Sequence, residues 1–206
     1  MKFFDLEKLK AIQLKYAKLF KESEPKNVEI IAGVDCHYKD DNIFCVAVSM
    51  NSEGIITEKA MISGKVYFPY VPTFLAFREG PWMVSAIRKL KHPPDLIFVD
   101  GNGRLHPLKA GLAVFVGVKT EIPTIGFSKN PMRGLPSACK ERIRLIGNEG
   151  AAVCRKNWKK PIYISPGNLI SLESALKIYF EISTNKIPPP LKKAHSIAKA
   201  MAKIGL

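Results

Sequence analysis

Between Asp5 and Phe20 the apolar side chains Leu6, Leu9, Ile12, Tyr16 and Phe20 recur at three- and four-residue steps. That period predicts an amphipathic helix over residues 5–20 that covers the core with one stripe. The period then shortens. Glu29-Ile30-Ile31-Ala32-Gly33-Val34-Asp35, Ile43-Phe44-Cys45-Val46-Ala47-Val48 and the stretch from Ile55 to Tyr67 read as strands. They are separated by the turn-forming runs Lys39-Asp40-Asp41-Asn42 and Asn51-Ser52-Glu53-Gly54, so an antiparallel meander is predicted. After Pro69-Tyr70-Val71-Pro72 the helical period returns through Phe74, Phe77, Pro81, Val84, Ile87 and Leu90, with Arg78, Glu79, Arg88 and Lys89 on the polar face.

Leu96-Ile97-Phe98-Val99-Asp100 is a continuous apolar run closed by an acid, as expected of a strand buried on both faces and fed by a crossover helix. A further helix is predicted over Gly111 to Val118 and a further buried strand at Thr124-Ile125-Gly126-Phe127. Residues 134–170 read as a hairpin or a partly irregular segment. An amphipathic helix from Ser171 to Phe180 follows, and Pro188-Pro189-Pro190 opens a last helix through Leu191, Ala194, Ile197, Ala198 and Met201. Three strands, then helix, strand, helix, strand is the element order of an α/β fold of the ribonuclease H-like type. In it an antiparallel three-strand meander is extended by parallel strands and flanked by helices.

With 206 residues, 47% apolar and 24% charged, the chain is expected to form one domain over residues 1–206. It carries no apolar run long enough for a membrane helix and no signal peptide, so it is expected to be soluble and intracellular, in the cytoplasm, with no membrane partner. Cys36, Cys45, Cys139 and Cys154 lie far apart without a C-x-x-C pair. They are therefore read as reduced, mostly buried thiols and not as a zinc ribbon or a disulfide scaffold. The net charge of +14 makes a polyanion, nucleic acid above all, the leading partner class. The charge is uneven: residues 28–138 hold 12 basic and 10 acidic side chains, residues 139–206 hold 13 and 4. That suits a carboxylate site in the middle and a phosphate-gripping surface in the C-terminal third.

Asp35 ends the first predicted strand and Asp100 the first parallel one. If those strands are neighbours, their carboxylates project from backbones roughly 5 Å apart. Two ionised carboxylates so close repel unless a cation neutralises them, and a hard, oxygen-seeking ion such as Mg²⁺ or Mn²⁺ suits the pair. Glu79, on the crossover helix, can complete the cluster. Such an ion activates water or stabilises a leaving oxygen at phosphorus, which points to phosphodiester hydrolysis. A single one of these acids reads better as a turn cap, and it is the three together at predicted open strand ends that point to the site. His106, in Gly101-Asn102-Gly103-Arg104-Leu105-His106-Pro107, can protonate a leaving oxygen or bind phosphate, and Lys129 lies just past a predicted strand end.

These residues resemble endonuclease V. The carriers are Gly33-Val34-Asp35-Cys36-His37-Tyr38, Phe68-Pro69-Tyr70-Val71-Pro72-Thr73-Phe74-Leu75-Ala76-Phe77-Arg78-Glu79-Gly80-Pro81, Asp95-Leu96-Ile97-Phe98-Val99-Asp100-Gly101-Asn102-Gly103 and Leu105-His106-Pro107. The similarity covers about Ile31 to Lys129 and resumes around Tyr163 to Ile197. It implies a Mg²⁺-dependent DNA repair nuclease that recognises deoxyinosine and cuts the second phosphodiester on its 3′ side. It implies Asp35, Asp100 and Glu79 as metal-binding catalytic acids, and His106 and Lys129 as phosphate or leaving-group contacts. It also implies Pro69, Tyr70, Val71 and Pro72 as a wedge that parts the strands, and Thr73, Gly111 and Met132 as the pocket for the flipped base.

The chain departs from the family pattern in four places. Asn168 follows Ser165-Pro166-Gly167 where a metal-site histidine is usual, which makes Asn168 an expected outer member of the metal site. Leu108 replaces an arginine, Thr73 a glycine and Phe115 a histidine. Alternative readings are an endoribonuclease acting on inosine in RNA and a damaged-base-binding protein that cleaves weakly. A monomer is the expected state.

Overall fold

The computed structural model describes residues 5–130 and 134–205. Its centre is an eight-stranded mixed sheet in the order β3-β2-β1-β4-β5-β8-β7-β6. The meander is β1 (Ile31–Lys39), β2 (Asn42–Met50) and β3 (Ile56–Lys65). β1 and β2 pair from Ile31↔Met50 to Lys39↔Asn42, and Asp40 takes the tight turn with φ 53°. The parallel strands β4 (Leu96–Asp100) and β5 (Thr124–Ser128) extend this meander, with Val34↔Val99 and Asp100↔Phe127 in register. The ribonuclease H-like expectation of a meander continued by parallel strands is thus met.

Two details differ from the sequence pattern. Asp35 does not end its strand: β1 runs on to Lys39 because β2 keeps pairing with it, and only the partner β4 stops, at Asp100. The segment 134–170 is also more ordered than its composition suggests. It forms the hairpin β6 (Ile143–Ile146) and β7 (Gly150–Val153), then β8 (Ile162–Asn168), all seven residues of which are buried. β8 pairs antiparallel with β5, and a register shift at Thr124/Ile125 accommodates Pro166, which cannot donate to the ladder.

The reading of four reduced thiols is corrected. Cys139 and Cys154 form a disulfide with Cα atoms 5.7 Å apart. The β6–β7 hairpin folds the chain back on itself and brings together two residues 15 apart in sequence. Cys36 and Cys45 are free, buried and directly opposite each other in the β1–β2 pair.

Helices cover both faces. α1 (Leu6–Leu19) is capped by Asp5, whose carboxylate accepts from the Lys8 amide at 3.0 Å, and α1, α2 (Leu75–Arg88) and α3 (Leu112–Thr120) lie on one side. Met83, Val84, Ile87 and Val116 there pack on Val34, Cys45, Ile97 and Val99. α4 (Leu172–Ile182) and α5 (Pro189–Ile204) lie on the other, with Tyr179 and Leu191 among Phe98, Phe127 and Ile164. No helix among the described residues is long and apolar enough to cross a membrane.

One glycine positions the site. A Cβ on Gly33 would overlap the backbone of Leu191, so only glycine lets the start of α5 lie directly on β1. Asp35 is two residues along β1, hence on the same face, and His195 is four residues along α5, one turn on. Two strand residues advance about 6.6 Å and four helix residues about 6 Å. The close contact at Gly33 therefore sets His195 over Asp35.

Candidate active site

Asp35 and Asp100 stand side by side, each one residue past the Val34↔Val99 pair. Asp35 is 5% exposed; its Oδ1 accepts from the Cys36 amide at 2.8 Å and its Oδ2 lies 2.6 Å from His195 Nδ1. The hydrogen bond to Asp35 raises the His195 pKa against the opposing effect of burial. Lys129, just beyond β5, donates to Asp100 Oδ2 at 3.2 Å. Burial and then the Asp35 charge push the Asp100 pKa up, and Lys129 pulls it down.

One ligand atom each from Asp35, Asp100 and His195 lies within 4.8 Å of the others. Two carboxylate oxygens and one imidazole nitrogen converging in this way fit a divalent cation. Glu79, on α2, falls outside that trio but is close enough to feel it. It is buried, accepts from Tyr38 Oη at 2.9 Å, and has its pKa pushed up to about 8. Burial is the main cause; the charges of Asp35 and Asp100 add to it, and the Tyr38 hydrogen bond opposes it.

His106 is held by backbone groups and not by the acids. Its Nε2 faces Thr73 O at 2.9 Å while its Nδ1 accepts from the Leu108 amide at 3.2 Å, which places the ring proton on Nε2. Burial lowers its pKa, so it stays neutral. His106 forms a wall, with Pro72, Thr73, Leu105, Leu135 and Glu149, of a cavity of about 560 Å³. At its rim Glu149 bonds Lys109 at 2.6 Å and faces Arg104 at 3.8 Å.

Beside this cavity the Pro69–Pro72 turn projects Tyr70, which is 69% exposed. Thr73, immediately after the turn, has φ 71°, a left-handed conformation that a β-branched residue enters only under constraint. The constraint is visible: Thr73 O faces His106 Nε2 and also accepts from Gln13 Nε2 at 2.7 Å. Gln13, 1% exposed on α1, reaches toward Ala110 O as well, at 3.4 Å.

The remaining expected residues are dispersed. Gly111 is the N-cap of α3, where a Cβ would overlap Asn102 O, so its small size serves backbone packing. Met132 lies outside the described residues. Asn168 is not beside the acids: it pairs with Thr124 at the start of β5, the opposite end from Lys129, and its Oδ1 accepts from the Lys21 amide at 2.9 Å. The side chain that joins Asp35 and Asp100 is instead His195. Phe115 packs 4.9 Å from the Tyr16 ring and occupies the space over Gly80, beside Glu79.

His195 and Gln13 escaped the sequence pattern. His195 follows Leu191 by one turn beside the buried stripe Leu191–Ala194–Ala198, and a metal-binding side chain so close to a core stripe was the available signal.

The family model for endonuclease V matches residues 12–196. The chain belongs to the endonuclease V family. It is 38% identical to endonuclease V of Thermofilum pendens, over 97% of this chain and 90% of that one. The endonuclease V structure from Bacillus subtilis superposes with a TM-score of 0.87 at 25% identity, covering 99% of this chain and 94% of that one. That of Ciona intestinalis endonuclease V, solved with a 23mer DNA containing an inosine followed by a ribo-adenosine, gives 0.88 at 22%, covering 99% and 100%. This endonuclease V chain is accordingly a nucleic-acid nuclease by family, and its Asp35–Asp100–His195 cluster can bind a metal ion.

Proposed function

We propose that the chain is a Mg²⁺-dependent repair endonuclease that recognises deoxyinosine in DNA and cuts the second phosphodiester on its 3′ side, leaving a 5′-phosphate. Mn²⁺ can substitute. The observation that carries this reading is the convergence of Asp35, Asp100 and His195 at the open end of the parallel strands, with Glu79 behind them. Those three side chains would hold the ion. Bound there, it supplies Lewis-acid stabilisation of the charge that builds at the phosphate.

The chain's own groups do the rest. Lys129 presents an ammonium beside Asp100, where a phosphate oxygen needs a partner. Glu79, held by Tyr38, is suited in its ionised form to take a proton from the attacking water. Tyr70 enters the duplex as the wedge from a turn stiffened by Pro69 and Pro72. The flipped hypoxanthine enters the cavity behind Thr73, where His106 holds its fixed tautomer and Arg104, Lys109 and Glu149 close the rim. The enzyme acts in the cytoplasm as a monomer.

The inosine-containing DNA bound by the Ciona relative supports this substrate class, and the ribo-adenosine in the same strand favours inosine in RNA as the second reading. Matched inosine and adenosine strands, in ribo and deoxy form, with Mg²⁺ or with chelator, decide between them. Cutting of deoxyinosine strands alone, only with Mg²⁺ and at the second 3′ bond, is the expected result. Equal cutting of adenosine strands would remove the base-recognition claim, and selective cutting of the ribo strand would establish the second reading.

A further inference from the structure

A cationic track leaves the acid corner on the α4–α5 face. Its first member is Lys129, at Asp100. Next is Lys186, between α4 and α5, whose ammonium donates to Lys160 O at 3.0 Å and lies 5.8 Å from the centre of the Trp158 ring. The charges of Lys160 and Lys129 both act on Lys186, so these three ammonium groups share one neighbourhood.

Beyond Trp158 the track opens into a groove of about 710 Å³ between two limbs, Cys139–Arg142 and Cys154–Trp158, which the disulfide ties together. Lys140, Arg142, Arg155 and Lys156 line it. The one acid in its lining, Glu141, is drawn toward Arg144, 3.9 Å away. Arg142 and Arg155 rest 5.0 and 5.3 Å from the Phe180 ring, and Arg155 also donates to Ser183 O. Lys140 and Lys156 are exposed and make no hydrogen bond or ion pair among the described residues.

Strand register fixes where this groove lies. Ser128 pairs with Tyr163, Ile162 with Val153 and Val153 with Ile143, so both limbs emerge at the same end of the sheet as Asp100 and Lys129. Three strand spacings, about 14 Å, separate β5 from the far limb. Fixed guanidinium groups, free ammonium groups and a partly exposed indole along one open channel form the pattern that grips phosphates and stacks bases of a single strand.

We propose that this groove is a second nucleic-acid contact surface, which holds the single-stranded flank of the substrate strand where it leaves the acid corner. The inference rests on the reading of the chain as a nucleic-acid nuclease, and its test separates the two. Binding of labelled inosine oligonucleotides is followed by fluorescence anisotropy in chelator, using a minimal strand that ends just past the scissile bond and strands extended on the 5′ or the 3′ side. In K140A/K156A the affinity for one extended strand falls roughly tenfold and its salt slope by about 1.5, at 0.7 to 0.9 per lost phosphate contact. Affinity for the minimal strand, and kcat on it with Mg²⁺, stay unchanged.

Equal weakening on minimal and extended strands, no weakening on either, or an effect confined to a fully duplex flank overturns the groove assignment. A wild-type protein that shows the length-dependent binding yet cuts no strand sinks the nuclease reading and leaves the groove standing.

Discussion

The acid corner and the cavity walled by Thr73 and His106 are built by opposite means. In the corner, like charges are held together: Asp35 and Asp100 stand on adjacent strands, Glu79 is buried behind them, and His195, Lys129 and Arg78 oppose their repulsion. At the Thr73 wall of the cavity, position comes from neutral hydrogen bonds on a backbone carbonyl, with Gln13 and His106 both meeting Thr73 O. The corner therefore spends stability on function, while the rim's function and its stability rest on the same contacts. Removing a charge from the corner and removing a clamp from the rim should move stability in opposite directions.

The largest effect is expected from Asp100→Asn. Loss of a cation ligand should lower kcat by roughly a thousandfold or more. The same change relieves the Asp35–Asp100 repulsion, so in chelator the variant should melt above the wild type. A variant that is inactive and also less stable would break the comparison at the corner.

Glu79 gives the second test. Its folded pKa, about 8, lies above the 4.5 of the free side chain, chiefly because it is buried. Such a group contributes stability that is fully present below about 4.5 and is lost as pH rises through about 8. In cation-free protein this one group should lower stability by about 1.4 kcal/mol per pH unit inside that window. Chemical denaturation at several pH values checks it: the difference between wild type and Glu79→Gln should grow with pH in favour of the variant. A difference that stays constant would mean the carboxylate is already ionised.

Gln13→Ala should have the smallest effect and the opposite sign in stability. The hydrogen bond to the left-handed Thr73 and the longer one to Ala110 are both lost, together worth about 1 to 2 kcal/mol. With the Thr73 turn loosened, KM for the inosine strand should rise about tenfold while kcat changes little, and Gln13→Glu should not restore it because a carboxylate cannot donate to Thr73 O. A fall in kcat at constant KM would place Gln13 in the chemistry instead of the rim.

The same contrast explains what the sequence could reveal. The corner's acids are set by strand register, and register follows local alternation, so Asp35 and Asp100 were readable from apolar runs that end in an acid. The meander, α2 and β4 were readable for the same reason. β8 was not, because Ser165-Pro166-Gly167-Asn168 has the composition of a turn and becomes a strand only between β5 and β7. The Cys139–Cys154 bond depends on a hairpin closing, His195 on α5 crossing β1 at Gly33, and Gln13 on contacts 60 and 97 residues away. Each is a meeting of distant segments, which no local period records. For the same reason the sequence pattern puts Asn168 at the metal site, whereas its side chain ties down Lys21 at the opposite end of β5.

Asp35, Asp100 and His195, and not Asn168, are the groups proposed to hold the cation. Titration of Mn²⁺ into wild type, His195→Ala and Asn168→Ala by calorimetry addresses this directly. His195→Ala should bind at least about tenfold more weakly, as loss of a ligand requires, and Asn168→Ala should bind as the wild type does. Weakened binding in Asn168→Ala with His195→Ala unaffected would contradict the account.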